Sequence, residues 1–194
     1  MIVYCATTNK GKVAEFRSAA PELFTIEPFP ELALLPPCEE TGSTFEENAI
    51  QKALYYGASS SGWLFAEDSG LEVDALGGDP GVYSARYAGL GATDEANNSL
   101  LLERLQSLTD RSARYVCVIA LTHNGVLAQT FRGAVEGQIL KAPQGSGGFG
   151  YDPLFYYPPF AASFAEISRD KKQTVSHRGA ATAQLTDYLK QKRV

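Results

Sequence analysis

Cysteine, methionine, tryptophan and histidine are scarce in this chain of 194 residues, which has three cysteines, one methionine, one tryptophan and two histidines. The cysteines Cys5, Cys38 and Cys117 are widely spaced, odd in number and not arranged as Cys-x-x-Cys. A disulfide framework and a cysteine-based redox or metal motif are therefore not indicated. We expect three reduced thiols and a cytoplasmic protein.

Long apolar runs and an excess of basic charge are also missing. No stretch reaches the roughly 18 apolar residues of a transmembrane helix, and the first residues do not follow the pattern of a signal peptide. The 17 Lys and Arg residues are outnumbered by 22 Asp and Glu residues, which gives a net charge of −5. Because binding to nucleic acid or anionic lipid depends on basic charge, we expect neither nucleic acid nor a membrane as a partner.

The composition is that of an ordinary globular protein, with 44% hydrophobic and 20% charged residues, and we expect one domain over residues 1–194. Helical and strand patterns alternate along the chain, with a capping box from Thr44 to Glu47 and an Asn-Gly hairpin turn at residues 124–125. This order predicts an α/β fold with a mixed sheet. Helices are predicted at residues 13–20, 44–60, 93–107 and 177–192, and strands at 2–6, 24–29, 63–66, 113–121 and 126–134.

A polar loop between the first predicted strand and helix could hold an oligophosphate. Free backbone N–H groups and the helix dipole favour an anion at such a position, and two lysines add positive charge. The order of residues is not that of a Walker loop, so a solvated loop before a capped helix stays open as an equal alternative. The loop consists of Thr7, Thr8, Asn9, Lys10, Gly11 and Lys12.

Two acidic pairs, Glu39-Glu40 and Glu67-Asp68, are candidate ligands of a divalent cation. Mg²⁺ binds one or two carboxylates together with phosphate oxygens and water. Glu67 and Asp68 are expected at the end of the buried strand 63–66, where a charge is costly unless it is paired. For Glu39-Glu40 alone, solvated side chains are the commoner interpretation.

A glycine-rich segment at residues 147–152 fits a nucleobase pocket. Glycines let a flat ligand approach the backbone, Phe149 offers a stacking face, and Asp152 can accept hydrogen bonds from ring N–H groups. A glycine turn whose aromatic side chains belong to the core is an equal alternative. Further along, Lys172, His177 and Arg178 place basic groups at the start of the last predicted helix, which requires an anion or a stacked ligand nearby.

Six segments in this order closely resemble the inosine/xanthosine triphosphate pyrophosphatase family, and they span nearly the whole chain. They are TTNKGK at 7–12, EETG with FEENA at 39–49, EDSGL at 67–71, PGVYSARY at 80–87, FGYDP at 149–153 and SHR at 176–178. The resemblance implies two α/β lobes around a long central mixed sheet with flanking helices, with the nucleotide in the cleft between the lobes. It also implies a homodimer that uses Mg²⁺ to hydrolyse ITP, dITP and XTP to the monophosphate and pyrophosphate, and so clears deaminated purines from the nucleotide pool.

The same resemblance assigns the phosphate-handling residues. Residues 7–12 would form the triphosphate loop, and Lys52 would reach the same phosphates. Asp68 would associate with the metal and act as the base for the attacking water, with Glu39 or Glu40 as the second acidic ligand. Thr8 departs from the pattern, because many members have glycine there.

The base-binding residues follow from the resemblance in the same way. Ser69 would touch the substrate and Phe149 would stack on the purine. Donors aimed at a 6-oxo group would face the amino group of adenine, so selectivity against ATP is expected. The residues surrounding the base would be Gly150, Tyr151, Asp152, Lys172, His177 and Arg178.

Two other functions stay open from the sequence. One is a pyrophosphatase that acts on pyrimidine or modified nucleoside triphosphates. The other is a nucleotide sensor that binds a triphosphate and does not hydrolyse it.

Overall fold

A computed structural model describes residues 1–20 and 24–192 of the protein. Within these residues a seven-stranded sheet is accompanied by five α-helices, so the predicted α/β class is confirmed. The strands are β1 (Ile2–Cys5), β2 (Thr25–Pro28), β3 (Trp63–Val73), β4 (Ser112–His123), β5 (Val126–Ile139), β6 (Phe155–Tyr157) and β7 (Ala162–Ser163). The helices are α1 (Lys10–Ala19), α2 (Phe45–Gly57), α3 (Asp94–Arg104), α4 (Arg169–Gln173) and α5 (His177–Gln191).

The sheet is mixed and has the strand order β2-β1-β3-β4-β5-β6-β7. Strand β1 pairs in parallel with both β2 and β3, whereas β6 pairs antiparallel with both β5 and β7. The predicted hairpin joins β4 to β5 through Asn124 and Gly125, whose φ angles are 51° and 78°. Two positive φ angles are what a type I′ turn needs, so the Asn-Gly signal was correct.

The residues group into two compact units, each with its own core. The first unit comprises Met1–Asp68, Cys117–Gly133 and Ser176–Val194. Along β1, Val3 and Cys5 are fully buried while the residues between and before them are not, the alternation of a strand with one core face. In this core α1 packs against α5, and Phe16 meets Phe65 edge to face at 5.1 Å between ring centroids.

The second unit comprises Ser69–Val116 and Ala134–Val175. Its core is rich in aromatic rings: the Phe155 ring centroid lies 4.6 Å from that of Tyr115 and 4.9 Å from that of Phe164. Leu101 on α3 and Leu105, which follows the helix, are fully buried in the same core. This packing fixes α3 beside the segment Gly81–Arg86, which forms a 3₁₀-helix.

Several predicted boundaries were wrong. Strand β3 does not stop before Glu67 but continues to Val73, so Glu67 and Asp68 lie inside a strand. Helix α1 begins at Lys10 and not after residue 12, because Asn9 caps it. The sequence also did not indicate the short elements α4, β6 and β7.

All three cysteines are free thiols, as expected, and two of them are buried. No helix within residues 1–20 and 24–192 has the length and apolar character needed to cross a membrane.

Candidate active site

The predicted phosphate segment forms the N-terminal end of α1. The backbone N–H of Lys12 donates to Asn9 Oδ1 over 3.1 Å, and the N–H of Asn9 donates to Thr7 Oγ1 over 3.2 Å. Lys10, Gly11 and Lys12 are therefore the first helical turn and not part of the loop. No acidic side chain occupies that turn, so the positive end of the α1 dipole is not neutralised by its own residues.

Strand β3 brings the predicted acidic pair against two lysines from other elements. Lys12 Nζ on α1 lies 2.5 Å from Glu67 Oε1, and Lys52 Nζ on α2 lies 3.1 Å from Asp68 Oδ1. The second oxygen of Asp68 accepts a hydrogen bond from Asn48 Nδ2 over 3.2 Å. These cations explain how two neighbouring carboxylates can lie buried in the interior of a strand.

The two carboxyl groups have opposite pKa shifts. Burial alone would raise the pKa of Glu67, but the charges of Lys12, Arg178 and Lys52 outweigh it and lower the pKa to about 2. At Asp68, burial prevails over the attraction of Lys52 and raises the pKa above its ordinary value. Glu67 is thus an anion at neutral pH, whereas Asp68 binds a proton more readily and suits a base.

In the second acidic pair, Glu39-Glu40, it is Glu40 that contacts Lys52. Glu40 Oε2 lies 3.3 Å from Lys52 Nζ, so Glu40 and Asp68 contact the same ammonium group. Glu39 and Glu40 are both exposed, so the contact with Lys52 and not burial distinguishes Glu40. Two carboxylates that converge on one cation are a donor set that also suits Mg²⁺, which needs one or two carboxylates and takes its other ligands from phosphate and water. Within the described part of the chain, no three His, Cys, Asp or Glu side chains group into a complete metal site.

A cavity of about 330 Å³ in the first unit opens beside these groups. Its walls combine hydroxyl, ammonium and carboxylate groups with apolar side chains, and the two ammonium groups suit it to an anionic ligand. The polar lining residues are Thr7, Thr8, Lys12, Glu40, Lys52 and Glu67.

The start of α5 carries two of the basic residues that needed an anion. Ser176 caps the helix by accepting a hydrogen bond from the Gly179 N–H over 2.9 Å. In the first turn, Arg178 Nη1 lies 2.7 Å from Glu15 Oε2 on α1, and both side chains are almost fully buried. Burial would lower the pKa of Arg178, but Glu67 and Glu15 raise it. The anions next to this guanidinium therefore include two carboxylates of the protein, and His177 beside it is buried as well.

In the second unit, Asp152 organises the glycine-rich segment. Its Oδ2 accepts hydrogen bonds from Lys172 Nζ over 2.6 Å and from the Phe149 N–H over 3.1 Å. Its Oδ1 accepts from the Tyr115 hydroxyl over 3.3 Å. The Lys172 ammonium also lies 5.1 Å from the centroid of the Phe149 ring. Asp152 thus hydrogen-bonds to both Phe149, the predicted stacking residue, and Lys172, a predicted base contact.

The remaining predicted residues of this unit have different surroundings. Tyr151 is buried, and its hydroxyl donates to the Ser84 carbonyl over 2.8 Å, while burial raises its pKa. Gly148 has φ 73°, and an added Cβ would lie 2.0 Å from Asp152 Oδ2, so only glycine fits there. Ser69 is half-buried on β3.

Sequence reasoning missed Asn48 and Glu15 as contributors to the site. Asn48 lies on the buried face of α2 between Phe45 and Ala49, and four residues before Lys52. In the sequence, this shows as an asparagine on the helix face that carries Phe45 and Ala49, which is a signal that could have been found. Glu15 gave no comparable signal in the sequence, because its partner Arg178 is 163 residues away.

The low pKa of Glu67 predicts acid sensitivity. Its carboxyl group has a pKa of about 2 in the folded protein and an ordinary value of 4.5, so the unfolded chain binds this proton more readily. The stabilisation is complete above about pH 4.5 and is lost as the pH falls toward 2. In urea titrations of metal-free protein, we expect Glu67→Gln to flatten the decline of the unfolding free energy over this range.

The matched control for that measurement is Glu31→Gln, at an exposed glutamate. If the unfolding free energy of Glu67→Gln falls with pH as steeply as that of wild type, other carboxyl groups cause the acid sensitivity.

Comparisons with known proteins show which family the chain resembles. The model of the Ham1 family matches residues 3–188. A dITP/XTP pyrophosphatase of Exiguobacterium sp. is 49% identical over 186 residues, which cover 95% of each chain. A dITP/XTP pyrophosphatase of Thermus thermophilus is 48% identical over 193 residues, covering 98% of this chain and 92% of that protein.

Solved structures show the same fold. The Ham1 protein of Staphylococcus aureus has a TM-score of 0.90 and 41% identity, with full coverage of both chains. A HAM1 protein from Coxiella burnetii has the same TM-score with 40% identity, covering 98% of this chain and 99% of that one. The chain therefore belongs to the Ham1 family.

Proposed function

We propose that the protein hydrolyses deaminated purine nucleoside triphosphates, namely ITP, dITP and XTP, to the monophosphate and pyrophosphate. The observation that carries the proposal is the pairing of Lys12 and Lys52 with Glu67 and Asp68 beside a polar cavity at the start of α1. The names of the relatives, dITP/XTP pyrophosphatase, supply the substrate class.

Phosphate binding is assigned to the first turn of α1 and to the two lysines. Backbone N–H groups at a helix N-terminus attract phosphate, and Lys12 lies in that turn. Lys52 is mostly buried, and Asp68, Glu67 and Glu40 outweigh its burial and raise its pKa, so it stays charged. Positive groups fixed before substrate arrives stabilise the charge that builds up when the phosphoanhydride breaks.

Asp68 is the proposed base for the attacking water. Its pKa is raised by burial, which makes it a better proton acceptor than an exposed aspartate. Asn48 and Lys52 fix one oxygen each, so the carboxylate is held in one orientation. Asp68 with Glu40 would hold Mg²⁺, and such an ion supplies charge neutralisation at the phosphate oxygens. Glu39, the other predicted ligand, is exposed as Glu40 is.

Base recognition is assigned to residues of the glycine-rich segment and to basic side chains. Phe149 would stack on the purine, and Lys172 and His177 would donate to the 6-oxo group. Arg178, another predicted base contact, donates to Glu15 through Nη1. A donor pocket of this kind penalises adenine, whose amino group leaves a donor unpaired.

A panel of triphosphates tests the proposal. With Mg²⁺ and pyrophosphate detection, we expect kcat/KM for ITP, dITP and XTP to exceed that for ATP by at least about 100-fold, because a buried mismatch of donors discriminates strongly. GTP serves as the intermediate case, since it keeps the 6-oxo group.

Each alternative has its own outcome in that panel. Comparable kcat/KM values for ITP and ATP would contradict base selectivity. Faster turnover of pyrimidine triphosphates would favour a pyrophosphatase that acts on pyrimidine or modified nucleoside triphosphates. Binding of ITP without pyrophosphate release would identify a sensor. We also propose a cytoplasmic homodimer, which sedimentation of the purified protein tests for its oligomeric part.

A further inference from the structure

Helix α3 hydrogen-bonds to both sides of Gly150. The Gly150 N–H donates to Asp94 Oδ2 over 2.6 Å, and Asn98 Nδ2 donates to the Gly150 carbonyl over 3.0 Å. Asp94 and Asn98 are four residues apart, so their side chains lie on one face of the helix. One helix thus holds the donor and the acceptor of a single residue, whose backbone has φ 63°.

The neighbouring residue, Phe149, is held from the other direction. Its N–H donates to Asp152 Oδ2 over 3.1 Å, and that carboxylate also accepts from Lys172. The backbone is therefore held at Phe149 by the hydrogen bond to the Asp152 carboxylate. It is held at the next residue, Gly150, by the two hydrogen bonds with α3. These hydrogen bonds hold the backbone that carries the half-buried Phe149 ring.

The side chain of Asn98 is in a costly position. It is 9% exposed, and its Oδ1 is buried with no hydrogen-bond partner among the residues that the structure describes. An apolar side chain would avoid this unpaired acceptor. The hydrogen bond from Nδ2 to Gly150 is the interaction that accounts for an amide at this position.

We propose that Asp94 and Asn98 are positioning residues for base recognition, which hold Phe149 as a stacking surface before the nucleotide binds. The inference rests on the proposed function. A glycine-rich segment loses much conformational freedom when it becomes ordered. If α3 orders the segment in advance, this entropy loss is removed from nucleotide binding. The two residues should then affect the affinity for the base and not the chemistry at the phosphates.

Steady-state kinetics with ITP test this separation. We expect Asp94→Ala and Asn98→Ala each to raise KM about tenfold while kcat stays within about twofold, the effect of losing one charged or amide hydrogen bond. Asp94→Asn keeps an oxygen acceptor for the Gly150 N–H and should recover most of the affinity. Glu95→Ala, on the same turn of α3 and exposed, is the matched control.

Inorganic tripolyphosphate is the second probe, because it has phosphates and no base. Its inhibition constant should be the same in Asp94→Ala, Asn98→Ala and wild type. Inhibition that weakens as much as the KM for ITP would indicate general damage to the protein and would overturn the proposal.

Amide hydrogen exchange tests the hydrogen bonds of Asp94 and Asn98 to Gly150, here called the clamp, without any substrate. We expect the Gly150 amide to exchange at least about tenfold faster in Asp94→Ala than in wild type or Glu95→Ala, because its acceptor is gone. Unchanged exchange would overturn the clamp even if the enzyme is active. A wild-type protein that hydrolyses no triphosphate would instead overturn the proposed function, and the exchange result would still decide on the clamp.

Discussion

Replacement of Asp68 by asparagine should lower kcat for pyrophosphate release from ITP by about three orders of magnitude, the range typical for loss of a general base. The substitution removes the proton acceptor and one negative charge while it keeps the shape of the side chain. An amide at this position can still accept from Asn48 Nδ2, and Lys52 keeps Glu40 as a partner. We therefore expect the fold to survive. Because Asp68 is also a proposed ligand of Mg²⁺, kcat is measured at saturating Mg²⁺ and ITP.

Two measurements make the result specific. The midpoint of thermal unfolding should not fall in Asp68→Asn, because burial next to Glu67 penalises the Asp68 charge in the native protein. Asp187→Asn, which removes an exposed carboxylate from α5, is the charge-matched control and should keep full activity. Activity of Asp68→Asn within tenfold of wild type would exclude Asp68 as the base.

Local signals in the sequence were enough for most elements of the fold. The capping residue Thr44 was predicted to start α2, and its side chain accepts from the backbone N–H group of Glu47. The Asn-Gly turn likewise predicted the β4–β5 hairpin. Each of these features depends on residues that are neighbours in the chain, and such interactions can be inferred from spacing alone.

Strand β3 shows why other features could not be predicted. Two adjacent carboxylates are unfavourable inside a buried strand, so the apolar pattern ended the predicted strand before Glu67. The strand continues because Lys12 is brought to Glu67 across 55 residues and Lys52 to Asp68 across 16. Propensity is overridden by tertiary pairing, which a single sequence does not reveal.

The candidate site was predicted as a set of residue types and not as a set of contacts. Asp152 was predicted to accept hydrogen bonds from the base, yet in the structure both of its oxygens accept from the protein's own side chains and backbone. Glu40 and not Glu39 meets Lys52. Spacing along the chain cannot distinguish such cases, because adjacent residues on a loop can point in opposite directions.

The buried pair between Glu15 and Arg178 predicts the largest effect on stability. Removal of one member of a buried ion pair leaves an uncompensated charge and costs about 3–5 kcal/mol. We therefore expect Arg178→Met to lower the free energy of unfolding in urea by that amount. Glu15→Leu should lower it by less, because the charge of Glu67 still acts on Arg178. The side chains are only 5% and 7% exposed, so solvent screening does not reduce the penalty.

The double variant Glu15→Leu/Arg178→Met separates the charge effect from packing. It leaves no unpaired member of this pair, so it should be more stable than the sum of the two single changes implies, by at least about 1.5 kcal/mol of coupling. Loss of the Arg178 charge should also raise the pKa of Glu67, because that charge helps to lower it. Additive destabilisation would contradict a coupled pair. A stable but inactive double variant would show that Arg178 serves the substrate as well as the fold, since packing would have been restored without the guanidinium.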